Sequence, residues 1–253
     1  MNSINKSSRD QYEEANKSLV ESYQLWYEEI KDKTELLEDG YSNPYYIDIP
    51  SNWFETELPR ILIVGEEGYG DYGVGKSDGV KANDITKIQS IIKEYLEQQL
   101  VDDKEHKTKI NASSFWRRFR KVAEHGVCCW SNIDKIHSLG KGEGRLTATD
   151  RQKLHSLDMR ILQREIEILQ PNLVIFFGWY GVSLQHELPE VFKKLYPGGL
   201  KDRSVWFKSV VKIEHQCVDY LFTYHPTWGY RNAKLGYEDA VMEQIIEILG
   251  TKK

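Results

Sequence analysis

Three kinds of side chain with complementary chemistry stand where apolar runs of the sequence stop. Glu66 and Glu67 follow "RILIVG" and open "EEGYGDYGVG", a loop otherwise almost all glycine and tyrosine. Asn132 closes "VCCWSN", and His225 follows "VDYLFTY" and precedes Pro226. A carboxylate orients a water or stabilises a developing cation. An imidazole donates a hydrogen bond to an anionic oxygen. A primary amide offers a donor and an acceptor at once. Each residue also has a structural reading. The glutamates suit helix caps or a solvated loop, Asn132 suits a turn, and His225 suits a partner for a backbone carbonyl.

Side chains this far apart meet only if the chain folds their strand ends together. Residues 9–37 carry Tyr12, Leu19, Tyr23, Trp26, Tyr27 and Ile30 near one stripe at helical spacing. Ile61 to Val64 form a continuous apolar run, as a buried parallel strand does. Asn83 or Asp84 caps a helix whose core face is Ile85, Ile88, Ile92, Tyr95 and Leu96. In "SSFWRRFRKVAEHG", Phe115, Phe119 and Val122 point inward, while Arg117, Arg118, Arg120 and Lys121 form the wet face, a weak candidate for phosphate contact. Thr149 and Gln152 make a capping-box pattern for a helix that Pro171 stops. "NLVIFFG" is the clearest strand, 182–195 reads as helix, and "SVWFKSVVKIEHQ" as strand or hairpin. "VDYLFTYHP" is another strand and "YEDAVMEQIIEIL" the closing helix.

Strands alternating with helices predict a three-layer α/β/α fold with a central, mostly parallel, four-stranded sheet. In such sheets ligands bind at the carboxyl ends of the strands. The loops after Val64, Trp130, Phe177 and Tyr224 are therefore the places where function is expected. Residues 1–58 read as an acidic helical extension packed on the core, and 59–253 as the α/β/α domain.

Gly68-Tyr69-Gly70-Asp71-Tyr72-Gly73 fits the bare dinucleotide pattern G-x-G-x-x-G. Its context does not: the third glycine enters no helix, and the acidic residue expected about 20 positions on falls in a helical segment, "IQSIIKEYLEQQ". Gly75-Lys76-Ser77 likewise lacks the helix that a phosphate-binding loop requires. A small-molecule enzyme holding phosphate on this loop remains a rival reading.

The four stretches "GEEGYG", "WSNI", "FFGWYG" and "YHPTWGYRN" together resemble the uracil-DNA glycosylase superfamily, over about residues 59 to 250. The matching positions are Gly65-Glu66-Glu67-Gly68-Tyr69, Ser131-Asn132, Pro171 through Gly178, and His225-Pro226-Thr227. Gly68 replaces a common proline, Thr227 replaces a serine, and the cysteines of the iron–sulfur branch are absent. The resemblance implies that Glu67 positions the attacking water, with Glu66 as the alternative. It implies that Asn132 reads the base edge, that Tyr69 and Gly178 shape the pocket, and that His225 stabilises the leaving anion. Thr227, Trp228, Tyr230 and Arg231 become candidates for DNA contact, as wedge and phosphate clamp. Trp228 and Tyr230 also suit ordinary core packing. The implied activity is hydrolysis of the N-glycosidic bond of uracil or another damaged base in DNA, with no metal or other cofactor. The rival within the superfamily is a catalytically silent nucleobase or nucleic-acid binding module.

Composition sets the outer limits. The net charge is −5, but residues 1–58 hold five basic and thirteen acidic side chains, which leaves 29 basic and 26 acidic in the rest. That body permits a phosphate-backbone partner. Cys128, Cys129 and Cys217 suit neither a disulfide framework nor C-x-x-C metal spacing, and the adjacent pair reads as buried strand. No apolar run is long enough for a membrane span, and the N-terminus lacks a secretory h-region. The expectation is a cytoplasmic monomer.

Overall fold

The computed structural model describes residues 6–32, 41–65, 79–100, 113–138, 148–178, 190, 193–194, 210–215 and 217–250. Glu66, Glu67 and Tyr69 lie outside the described residues, as does most of the expected helix 182–195.

The apolar runs become strands β1 (Arg60–Gly65), β2 (Val127–Asn132), β3 (Leu173–Phe177) and β5 (Val218–Thr223). β2 and β3 are buried along their whole length, and β1 from Ile61 onward. A strand covered on both faces has no use for polar alternation, so these read as unbroken apolar runs. Cys128 and Cys129 are buried in β2.

The four-stranded expectation is corrected to five. Val210–His215 forms β4, antiparallel to β5, and the sheet order is β2-β1-β3-β5-β4. A tight turn through Cys217, at φ +63°, joins the pair. β4 alternates in burial and exposes Lys212 and Glu214, which keeps this edge from pairing further. The sequence reading left this stretch as strand or hairpin because its alternation is weak and charged.

From β1 the chain crosses to β2 on one side, then returns past β1 to β3 on the other. The switch point therefore falls between β1 and β3, where open α/β sheets bind ligands at their carboxyl edge. α2 (Ile85–Leu100) and α3 (Ser114–Ala123) lie in the first crossover, and α4 (Ala148–Leu169) in the second. Right-handed connections place them on opposite faces. Thr149 lies inside α4 rather than capping it, and α4 ends at Leu169 before Gln170, at φ +45°.

α1 (Ser8–Ile30) opens with a capping box between Ser7 and Asp10 and ends earlier than the expected residue 37. Its Leu19, Tyr23, Trp26 and Ile30 are buried in the same core as the sheet, and it packs on α4. After β5 come α5 (Pro226–Arg231), a 3-10 turn (Ala233–Leu235) and α6 (Tyr237–Gly250). No helix among the described residues is long and apolar enough to cross a membrane.

One expectation about α3 fails. Arg118, read as part of the wet face, is 1% exposed. Its Nε donates to Glu238 Oε2 at 2.9 Å, and its Nη2 pairs with Glu238 Oε1. Nη1 donates to Thr223 Oγ1 at 2.9 Å and to the Tyr224 carbonyl at 2.8 Å. The partner carboxylate sits 120 residues away on α6, beyond the reach of any local pattern.

Burial pushes the half-buried Asp48 carboxyl up to about 6, with Lys93 opposing and Glu97 adding to the rise. A carboxyl whose folded-state affinity for a proton is raised holds more protons folded than unfolded, so stability falls as pH rises between about 4 and 6. Asp48→Asn is expected to flatten that slope. Urea melts across pH 4 to 8 should show the variant gaining on the parent with rising pH, and the two converging in acid.

Candidate functional site

Parallel register sets Gly65 beside Asn132, and Val64 beside Phe176, while Phe177 pairs with Thr223. The ends of β1, β2, β3 and β5 therefore share one edge, and Gly178 is buried directly after β3. Glu66 and Glu67 are the next two residues of the chain after Gly65.

Asn132 is 1% exposed. Its Oδ1 accepts from Trp130 Nε1 at 3.0 Å. An indole N–H only donates, so the amide orientation is fixed. Nδ2, on the far side of the amide, is buried and has no hydrogen-bond partner among the described residues. Leaving a buried donor unmade costs about 1–3 kcal/mol, so native structures leave few such groups without a protein, water or ligand partner. Oδ1 keeps a second lone pair. The pair of functions needed to read the edge of a nucleobase is present.

The first turn of α3 closes over this edge. Ser113 caps the helix, its hydroxyl accepting from the Trp116 N–H. A helical side chain covers the turn preceding its own Cα. Phe115 accordingly lies back over Gly65, with ring centres 5.8 Å from Trp130 and 5.2 Å from Phe177. Trp116, Phe119, Trp130 and Phe177 are buried, whereas Phe115 is only partly so. Phe115 thus presents an incompletely covered ring over Gly65, beside the Asn132 amide. Sequence reading placed Phe115 in the core because its helical phase is that of Phe119 and Val122. The signal it passed over was position: Phe115 is the second residue of a serine-capped helix aimed at a strand end.

Gly65 makes the closure possible. A Cβ there would stand 2.5 Å from Asn132 Oδ1 and 3.3 Å from Phe115 Cε2. Gly65→Ala is expected to push the Asn132 amide away from Trp130 and lift Phe115. Tryptophan fluorescence should shift, with a stability loss of about 1–3 kcal/mol from overpacking.

His225 is exposed and caps α5, with Nδ1 accepting from the Thr227 N–H at 3.2 Å. A ring nitrogen that accepts carries no proton, which puts the proton on Nε2. Nε2 is thus the ring nitrogen left to donate, as an anion stabiliser does. Three strand spacings, about 14 Å, separate the ends of β2 and β5. α3 bridges the gap, for Ser114 Oγ lies 2.7 Å from Thr227 Oγ1 while Phe115 reaches Gly65.

Of the other predicted residues, Trp228 stacks between Tyr224 at 4.2 Å and Tyr237 at 4.4 Å. Tyr230 lies beneath the Arg117 guanidinium at 4.4 Å. Arg231 is exposed at the end of α5.

The Asn132 loop is braced from below by a network that sequence reading missed. Lys135 and Glu165 are each 1% exposed. Lys135 Nζ donates to Glu165 Oε1 and Oε2 at 2.7 and 2.8 Å and to Ser131 Oγ at 2.7 Å. Glu165 also accepts from Ser131 Oγ and from Tyr23 on α1, each at 2.7 Å. Asp158 accepts from Trp26 Nε1 at 3.0 Å and from the Lys135 N–H at 3.2 Å. Burial and the nearby charge of Asp134 raise the Asp158 carboxyl above the usual range.

No protein-family model matches the chain, and no curated protein matches it.

Proposed function

We propose that this protein is a uracil-DNA glycosylase-like hydrolase that binds a flipped-out base at the carboxyl edge of its sheet and cleaves the N-glycosidic bond. The observation that carries this reading is the buried, unpartnered Nδ2 of Asn132 beside the half-covered Phe115 ring. A pyrimidine stacked on Phe115 offers a carbonyl oxygen to Nδ2 and an imide N–H to Oδ1. Cleavage builds positive charge on the sugar and negative charge on the departing base. Glu67 orients the attacking water and stabilises the sugar cation, with Glu66 as the alternative. The Nε2–H of His225 stabilises the anionic base oxygen. Water adds to the anomeric carbon, the C–N bond breaks with its electron pair going to the base, and the proton of the water passes to the carboxylate. Tyr69 and Gly178 shape the pocket. Thr227, Trp228, Tyr230 and Arg231 line the side on which the DNA approaches.

The test is a single-turnover assay on a uracil-containing oligonucleotide. Alkali-labile strand breaks are expected with the parent protein. They should drop at least about a hundredfold in Glu67→Gln, the scale of a lost acid–base contribution. Asn132→Leu should weaken binding of free uracil. Oligonucleotide binding with no abasic product in any substrate would favour the silent binding module instead. Stabilisation by nucleotides without any DNA affinity would favour a small-molecule enzyme.

A further inference from the structure

A cavity of about 1030 Å³ lies away from the sheet edge, along the outer side of α3. Arg117, Arg120, Lys121 and Glu124 line it from α3, at the i, i+3, i+4 and i+7 spacing of one helix face. They span about 10 Å. Tyr230 closes the end near α5, and Leu58, Gly126 and Val127 close the end where β1 and β2 begin. Leu96 and Leu100 of α2 supply apolar lining, while Asp48 and Glu97 line it as well. The volume is at the upper limit of small-molecule pockets, about 300–1,000 Å³, and the shape is long.

The wall formed by α3 carries exposed cations. Arg117 and Lys121 are both exposed, and neither forms an ion pair among the described residues. Both lie over the face of Tyr230, at 4.4 and 6.0 Å from the ring centre. A cationic wall, an aromatic lip and an apolar lining are the elements that take up unpaired nucleic acid, with phosphates on the cations and bases on the apolar surface. A duplex keeps its base faces stacked and has no use for that lining. The acidic Asp48 and Glu97, which line the groove from outside α3, favour a phosphate chain on the Arg117–Lys121 side. Tyr230 lies on α5, three residues after Thr227, whose hydroxyl touches Ser114 at the start of α3. The Arg117–Tyr230 end of the groove therefore lies within about one helical turn of the Ser114–Thr227 contact at the start of α3.

We infer that this groove binds the single-stranded nucleic-acid chain flanking the base held at the sheet edge, with its phosphates on Arg117 and Lys121. The inference deepens the glycosidase reading by naming single-stranded DNA as the substrate class, and it rests on that reading only for the position of the base.

Fluorescence anisotropy with labelled oligothymidylate of about 12 nucleotides tests it. The parent protein should bind the single strand more tightly than a duplex of equal length. The double variant Arg117→Ala/Lys121→Ala should lose about tenfold in affinity, and its log–log salt slope should become shallower by about 1.4, the value for two lost phosphate contacts on a single strand. Arg117→Lys/Lys121→Arg should restore most of both. Both sites are exposed, and an unchanged melting temperature shows that the variants fold. Identical affinity and slope in the double variant, or equal binding of duplex and single strand, would overturn the inference. Abasic-site formation on a uracil trinucleotide, too short to fill the groove, checks the glycosidase reading separately. Cleavage there together with unchanged oligothymidylate affinity in the double variant defeats only this inference. Groove-dependent binding without cleavage defeats only the enzyme.

Discussion

Arg118→Met lowers unfolding free energy by about 3–5 kcal/mol, the usual result of removing one partner from a buried ion pair. Met matches the length of the aliphatic stem but leaves the Glu238 carboxylate buried without its two guanidinium donors. The same side chain holds Thr223 and the Tyr224 carbonyl at the end of β5, and its guanidinium lies 5.1 Å above the Phe177 ring at the end of β3. For a domain of this size the loss corresponds to about 6–20 °C in melting temperature. The companion variant Glu238→Leu strands the cation instead and should cost a similar amount. Arg118→Met/Glu238→Leu should recover part of the loss, because no charge is then left unpaired. Strict additivity of the two single losses, in urea melts of all four proteins, would show that the pair does not act as a unit. A smaller structural effect should accompany the energetic one. His225 follows Tyr224, so single variants that still fold should show altered imidazole resonances.

Lys135→Met is the second large effect, again about 3–5 kcal/mol. Glu165 keeps its hydroxyl donors, Tyr23 and Ser131, but loses the only cation bonded to it among the described residues. The carboxylate is then buried with no cation to balance it. Lys135→Met/Glu165→Gln should recover part of the loss, as urea melts of the single and double variants would show. A double variant no more stable than Lys135→Met would mean that lost packing dominates. Because Lys135 lies three residues past Asn132, under the proposed function weaker uracil binding should accompany the instability. Tyr23→Phe removes one donor to Glu165 and should cost less, about 1–2 kcal/mol.

What the sequence disclosed and what it hid follow from the range of the interactions involved. The central strands were legible because each is a short apolar run ended by glycine or a polar residue. The placement of Asn132 and Gly178 on one edge followed from the rule for parallel sheets. β4 was ambiguous because half its side chains face solvent. Arg118, Lys135 and Glu165 were illegible because a charge in a sequence reads as wet, and nothing local says that a partner arrives from another helix. Phe115 packs against the core, as its spacing says, but its place at the capped start of α3 leaves it only partly buried. Glu66, Glu67 and Tyr69 lie beyond the described residues, so their part in the site is carried by sequence alone.

The sheet order also has a consequence for synthesis. β1 is the first strand made, yet its two neighbours are β2, which begins at Val127, and β3, which begins at Leu173. A nascent chain emerging from the ribosome therefore displays an oily segment with both hydrogen-bonding flanks vacant for about 60 residues of elongation, until β2 is made, and with one flank vacant for more than a hundred, until β3 is made. Such a segment invites wrong pairing at high expression. Slower translation, or a chaperone that shelters Ile61 to Val64, should raise the soluble yield more than any change made after β3 has formed.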